Sequence, residues 1–327
     1  MKRRTLAIVL LVLAIMLVIT IPVLVFTPAG ARVAATLSPP TPTPSPTPVP
    51  PTPTPTPIPT PKPVLTVKGT APALSAIASY LVDMDTGNIL ENTNGYKPLP
   101  MASTTKIMTA LIAIESGNLA QPVTVTQAEL NQVPPDASSA NLVAGETLTL
   151  KDLLYALMVP SGDDAALVIA DTLGGTTDNF VLRMNLFAQR LRLFQTHYTN
   201  PHGLNLANDQ DHYSSASDLA RLAEYALQIP LFAQIVQTKN YKLPATARHP
   251  AHDWITTNTL LGSYRGTIGV KTGHTDAAGW CLVFAATNGG HHLIGVVMND
   301  PSQYLRDRDA ETLLNWGFAL PMLPPTV

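Results

Sequence analysis

Hydrophobic and polar positions fall into three regimes along the chain. From Leu6 to Phe26 no residue is charged and nearly all are apolar, with Lys2, Arg3 and Arg4 just ahead. That run is longer than the roughly 7–15 apolar residues of a cleaved signal peptide and matches the ~20 needed to cross a bilayer as a helix. Basic residues stay on the cytoplasmic side, so the rest of the chain is expected outside the cell membrane, anchored by this helix. Ala29, Gly30 and Ala31 supply small residues for the alternative, cleavage and release. The second regime, Pro39 to Pro63, has no hydrophobic period; Thr-Pro and Ser-Pro repeats carry one charge, Lys62. Proline fixes φ and removes backbone donors, so the segment predicts an extended stalk or spacer. At ~3.1 Å per residue it reaches on the order of 80 Å.

The third regime, from about Val67, has the periodicities of folded structure. Tyr80-Leu81-Val82 and Ile89-Leu90 flank Asp85-Thr86-Gly87-Asn88, which predicts a β-hairpin. Helical spacing follows from Ser103 to Ser116, and again at Leu150–Met158, Asp163–Leu173, Asp178–Leu191 and Ser217–Leu227. Strand-like runs return at Thr267–Lys271, Trp280–Thr287 and Leu293–Met298, the last two joined by Asn288-Gly289-Gly290. A helix from about Tyr304 to Phe318 closes the pattern. Strands near both ends with helices between predict an α/β (α+β) fold: an antiparallel sheet flanked by helices, plus a helical lobe. The chain therefore divides into an anchor (1–30), a linker (31–66) and a folded domain (67–327).

Composition changes this picture little. A formal net charge of -2 leaves no basic footprint and excludes nucleic acid as a partner. The single cysteine, Cys281, allows no intrachain disulfide and reads as a small buried hydrophobe within the run Trp280–Ala285. His249 and His252 form H-x-x-H and His291-His292 are adjacent, but neither pair has a matching carboxylate or cysteine cluster nearby in sequence, so no metal site is assigned.

Candidate chemistry lies in three strings. Ser103-Thr104-Thr105-Lys106 is an S-x-x-K at a predicted helix start, where three-residue spacing puts hydroxyl and amine on one face. A serine hydroxyl attacks only when a base takes its proton, and a lysine serves as that base only when burial or nearby positive charge lowers its pKa. The helix start also offers backbone N–H groups to an oxyanion. Ser161-Gly162-Asp163 follows an apolar helix through Pro160, and Lys271-Thr272-Gly273 ends a strand-like run. Taken singly, each string is met by chance. In this order they approximate S-x-x-K, S-x-N and K-T-G, the set carried by penicillin-recognising serine enzymes.

From about Ala76 to Phe318 the chain resembles the low-molecular-mass D-alanyl-D-alanine carboxypeptidases. Asn200-Pro201-His202-Gly203-Leu204 and the run Gly269 to Gly279 add to the likeness. The resemblance implies a β-lactamase/penicillin-binding-protein-like fold, no cofactor and no metal. The implied substrate is a peptidoglycan stem peptide ending in D-Ala-D-Ala, with β-lactams as inhibitors. It makes Ser103 the nucleophile, Lys106 its base and Ser161 a proton relay to the leaving amine. Lys271 and Thr272 would engage the terminal carboxylate, Gly273, His274 and Asp163 would complete the substrate-binding wall, and the N–H groups of Ser103 and His274 would form the oxyanion hole. Family members often carry a small β-rich domain after the catalytic one; the residues after Phe318 leave no room for it.

Asp163 departs from the family pattern, which has Asn there. An amide donates and accepts hydrogen bonds, whereas a carboxylate only accepts. Ionised beside Lys106 and Lys271, it would favour their protonated forms and move the pH optimum upward; alternatively it caps the following helix and points away. Three rival readings remain. A class A β-lactamase needs a glutamate for deacylation, and the only one between Ser161 and Lys271 is Glu224, inside a predicted helix. An endopeptidase or transpeptidase would use the same acyl-enzyme, and a wall-binding module would have lost its chemistry through Asp163.

Overall fold

The predicted hairpin forms one edge of a five-stranded antiparallel sheet. The computed structural model describes residues 63–135, 137–204 and 211–323. Its main strands are β1 (Ala78–Asp83), β2 (Ile89–Thr93), β3 (Thr267–Thr275), β4 (Gly279–Asn288) and β5 (His291–Asp300), in the order β2-β1-β5-β4-β3. The C-terminal meander thus accepts the N-terminal hairpin, with Leu81 opposite Gly295 and Tyr80 opposite Val296.

Period-2 alternation divides the sheet's side chains between two cores. Leu81, Leu282, Phe284, Leu293 and Val297 pack with Ala310, Leu313 and Leu314 of the closing helix, α6 (Gln303–Phe318). Tyr80, Val82, Val283, Ala285, Ile294 and Val296 belong to the larger core, which takes in the helical lobe. That lobe contains α1 (Lys106–Glu115), α2 (Leu150–Met158), α3 (Asp163–Gly174), α4 (Thr177–Arg190) and α5 (Ala216–Leu227). Side-chain caps start several of these helices: Thr149 with Asp152 forms a capping box on α2, Thr176 caps α4 and Ser215 caps α5.

Helix α1 positions the chemistry. Residues Lys106 to Ala113 are all buried, and a helix apolar on every side belongs inside the protein. Ile107, Met108 and Leu111 are fully enclosed, each stabilising the fold by about 1.5–3 kcal/mol. The 3₁₀ turn Ala102–Thr105 leads directly into it, so the S-x-x-K string sits deep in the molecule.

Short elements, with too few residues to repeat a hydrophobic pattern, escape sequence reading. They include the ribbons Pro122–Thr124 with Thr147–Thr149 and Asn240–Leu243 with His252–Ile255, and the helices Gln127–Leu130, Pro230–Val236 and Leu260–Ser263. Val64–Leu65 pairs with Met322–Leu323, so regular structure starts ahead of Val67. Among the described residues no helix is long and apolar enough to cross a membrane. The apolar run Leu6–Phe26, and the proline-rich run except Pro63, lie outside the described residues. Cys281 is wholly buried, and burial pushes its thiol up to about 12.

Candidate active site

Three distant segments meet in one buried cluster. Lys106 Nζ lies 2.7 Å from Ser103 Oγ, 2.5 Å from Asp163 Oδ1 and 2.9 Å from the His202 carbonyl oxygen. An ammonium has three hydrogens for these three acceptors. The neutral amine fits equally well: two N–H groups serve Asp163 and His202, and the lone pair accepts the Ser103 hydroxyl. The side chain is fully enclosed, so no bulk water competes for that lone pair.

Ser161 enters from the loop between α2 and α3, with φ +67. A left-handed conformation costs a serine about 1–2 kcal/mol, a strain typical of residues held for function. Lys271 Nζ, from β3, donates to Ser161 Oγ at 2.8 Å and to the Thr272 carbonyl at 2.9 Å. Burial, then the nearby Lys106 charge, hold the Lys271 ammonium well below the ordinary lysine range, with Asp163 acting in the opposite sense.

Asp163 does not cap its helix. Gly162 is the N-cap residue of α3, and the Asp163 carboxylate turns to Lys106 with its Oδ2 unpartnered. Burial raises its pKa, while Lys106 and Lys271 work to lower it. It is 1% exposed, pairs with Lys106 and is not among the residues lining the cleft over Ser103. The substrate-binding position assigned from the resemblance is therefore replaced by a buried position against the base, Lys106.

The remaining predicted residues border a cleft of about 500 Å³ over Ser103 and Ser161. Thr272 Oγ1 is 2.6 Å from Thr257 Oγ1. Gly273 passes so close to the nucleophile that a Cβ there would lie 3.0 Å from Ser103 N, which explains why this strand position carries no side chain. The exposed His274 ring sits on Trp280, centroids 4.0 Å apart. One cleft residue, Arg306, is absent from the sequence-based assignments. It is 2% exposed, lines the same cleft, donates to Asp307 Oδ1 at 2.8 and 2.6 Å and lies 5.6 Å from the Trp280 ring centre. Nothing in its sequence setting distinguished it from Arg308, whose side chain is half exposed.

The Asn-Pro-His-Gly turn serves the base. Asn200 Oδ1 accepts from His202 N and Gly203 N at 3.2 and 2.6 Å, which aims the His202 carbonyl at Lys106. The His202 imidazole is held neutral, pushed down to about 3 by burial and the Lys106 charge. Gly203 has φ +97, and a Cβ would fall 2.0 Å from the Ala102 carbonyl oxygen. Gly203→Ala is expected to destabilise the fold by about 2–5 kcal/mol, combining an unfavourable φ with overpacking. A urea unfolding midpoint equal to the parent's would refute that reading.

Two of the other histidines, His252 and His292, have carboxylate partners that sequence spacing did not show. His252 Nε2 lies 2.8 Å from the buried Glu146 Oε2. Asp83, Asp85 and His291 bring their ligand atoms within 4.8 Å of one another. There, Asp83 accepts from Asp85 N and Thr86 Oγ1, and Asp85 pairs with His292 Nδ1 at 3.0 Å, so the group ties two hairpin turns together.

The family model described as D-alanyl-D-alanine carboxypeptidase matches residues 66–302. The chain belongs to the D-alanyl-D-alanine carboxypeptidase family. It is a serine-type peptidase of that family, acting at D-Ala-D-Ala ends. A D-alanyl-D-alanine carboxypeptidase of Streptomyces sp. (strain K15) is 37% identical over 265 residues, covering 77% of this chain and 90% of its own. The carboxypeptidase DacF of Bacillus subtilis (strain 168) is 32% identical over 252 residues, 76% of this chain but 63% of its own length. The crystal structure of the Streptomyces K15 DD-transpeptidase superposes with a TM-score of 0.73 at 37% identity, covering 77% of this chain and all of that one. A D-alanyl-D-alanine carboxypeptidase from Mycobacterium tuberculosis H37Rv gives 0.72 at 30% identity, covering 80% and 99%.

Proposed function

We propose that Ser103 carries the acyl-enzyme of this carboxypeptidase. Its Oγ attacks the carbonyl of the penultimate D-alanine while Lys106 takes the hydroxyl proton. Backbone N–H groups at Ser103 and His274 receive the oxyanion. Ser161, bonded to Lys271, passes a proton to the departing amine, and terminal D-alanine leaves. Thr272 meets the terminal carboxylate in the positive field of Lys271 and Arg306. Water then releases the shortened peptide. The observation that carries this reading is the 2.7 Å contact between Lys106 Nζ and Ser103 Oγ, in a buried site where a neutral amine keeps every hydrogen bond.

Incubation with a stem peptide ending in D-Ala-D-Ala should release free D-alanine, and Ser103→Ala should release none. Release by that variant at the parental rate would overturn the assignment. An added amine acceptor that captures the acyl group would instead identify transpeptidation, the activity named for the Streptomyces K15 structure. Penicillin should leave a long-lived adduct on Ser103, because Glu224 lies in α5 beside Tyr80 and Arg221, outside the cleft. Mass spectrometry finding rapid turnover without an adduct would contradict this. The apolar run behind Lys2, Arg3 and Arg4, followed by the proline-rich run, supports placement on the outer side of the cell membrane. Recovery of the full chain in the soluble fraction would contradict a retained anchor.

A further inference from the structure

Asp164 takes no part in the chemistry just described, yet it is 2% exposed and saturated with donors. Its Oδ1 accepts from Ala140 N at 3.0 Å and from Ala165 N at 2.8 Å. Its Oδ2 accepts from Ser139 Oγ at 2.7 Å and from Leu142 N at 3.1 Å. Three of these four donors belong to segment 138–142, whose first residue, Ser138, lines the cleft. The same segment is held twice more: Asp163 N donates to the Ser138 carbonyl at 2.8 Å, and Trp254 Nε1 donates to the Ala140 carbonyl at 2.8 Å.

Resting on the acyl-enzyme reading above, we propose that Asp164 is a positioning residue for acylation. It locks segment 138–142 onto the start of α3 and thereby fixes Ser161 and Asp163 against the two lysines. Ser161 holds a left-handed φ, which persists only where the surroundings over-determine it. Two backbone bonds pin the residues after it, Gly162 N to the Ala156 carbonyl at 3.0 Å and Asp163 N to Ser138. The second is only as rigid as segment 138–142, and Asp164 is that segment's main tether. Charge-assisted bonds to a buried carboxylate suit this task. The side chain must also be a pure acceptor: an amide would set an N–H group against the donors on one side.

Asp164→Asn is therefore an isosteric probe. In stopped-flow reaction with benzylpenicillin, its acylation rate constant should fall about 10- to 100-fold, since a misplacement of about 1 Å costs on the order of 10². The dissociation constant of the noncovalent complex should stay within about threefold. A single-turnover rate constant is a property of each folded molecule, so simple loss of folded protein would not lower it. Ser139→Ala removes one donor and should lower the same constant a few-fold. An unchanged acylation constant in folded Asp164→Asn, or a loss confined to the dissociation constant, would overturn the proposal. If Asp164→Asn does not fold, an unchanged constant in Ser139→Ala would overturn it, and a lowered one supports it. Failure of the parent to label at Ser103 would instead refute the acyl-enzyme reading itself.

Discussion

Lys106→Met is expected to slow acylation of Ser103 by about 10²–10⁴-fold, the contribution of a general base. It should also cost about 3–5 kcal/mol of stability, as removing one partner of a buried ion pair does. Methionine fills a similar volume, so the loss is electrostatic rather than a cavity. The Asp163 carboxylate is 1% exposed and its Oδ2 has no partner; without the amine its Oδ1 loses its 2.5 Å partner too. The sign with pH follows from linkage. Burial already raises the Asp163 pKa, and removing Lys106 takes away the largest effect opposing that rise. The folded variant then binds a proton that the unfolded chain releases, so its deficit is small at acid pH and grows as pH rises above the ordinary aspartate value. Lys106→Met/Asp163→Asn should recover much of the stability and none of the acylation. Urea unfolding at acid and neutral pH, with penicillin acylation rates, checks both halves. Equal deficits at the two pH values would show that Asp163 is not the stranded charge.

Ser103 and Lys106 are readable in the sequence because three-residue helical spacing alone brings them together. Ser161 and Lys271 lie 110 residues apart; no local rule joins them, and only the order of the strings pointed to one cleft. The antiparallel sheet and major helices were equally legible, since each repeats its hydrophobic pattern several times. Short ribbons such as Pro122–Thr124 were not. Arg306 stayed hidden because its role depends on how α6 packs beside Trp280. Asp164 stayed hidden because its partners, Ser139, Ala140 and Leu142, approach from a loop with no pattern of its own. Sequence left two orientations open for Asp163, and three-dimensional packing selected one. With Gly162 as the N-cap residue, the carboxylate turns inward to the lysine.

That orientation makes Asp163→Asn the most informative pH experiment. Acylation needs an unprotonated amine beside Ser103, so the acid limb of the rate profile reports how firmly a proton is held on the Lys106 cluster. The Asp163 carboxylate lies 2.5 Å from Nζ, and removing a negative charge from so close to a base makes a proton there less favourable. The parent's acid limb should therefore lie at higher pH than the variant's. The alkaline limb should move in the same direction. Asp163 is one of the charges that support the proton on Lys271, so its removal leaves that already depressed ammonium easier to discharge. The whole bell shifts downward on Asp163→Asn, whereas loss of a merely structural contact would lower its height in place. Coincident acid limbs would mean that Asp163 is already neutral in the working enzyme and stands in for the family's amide as a hydrogen-bonding group without charge.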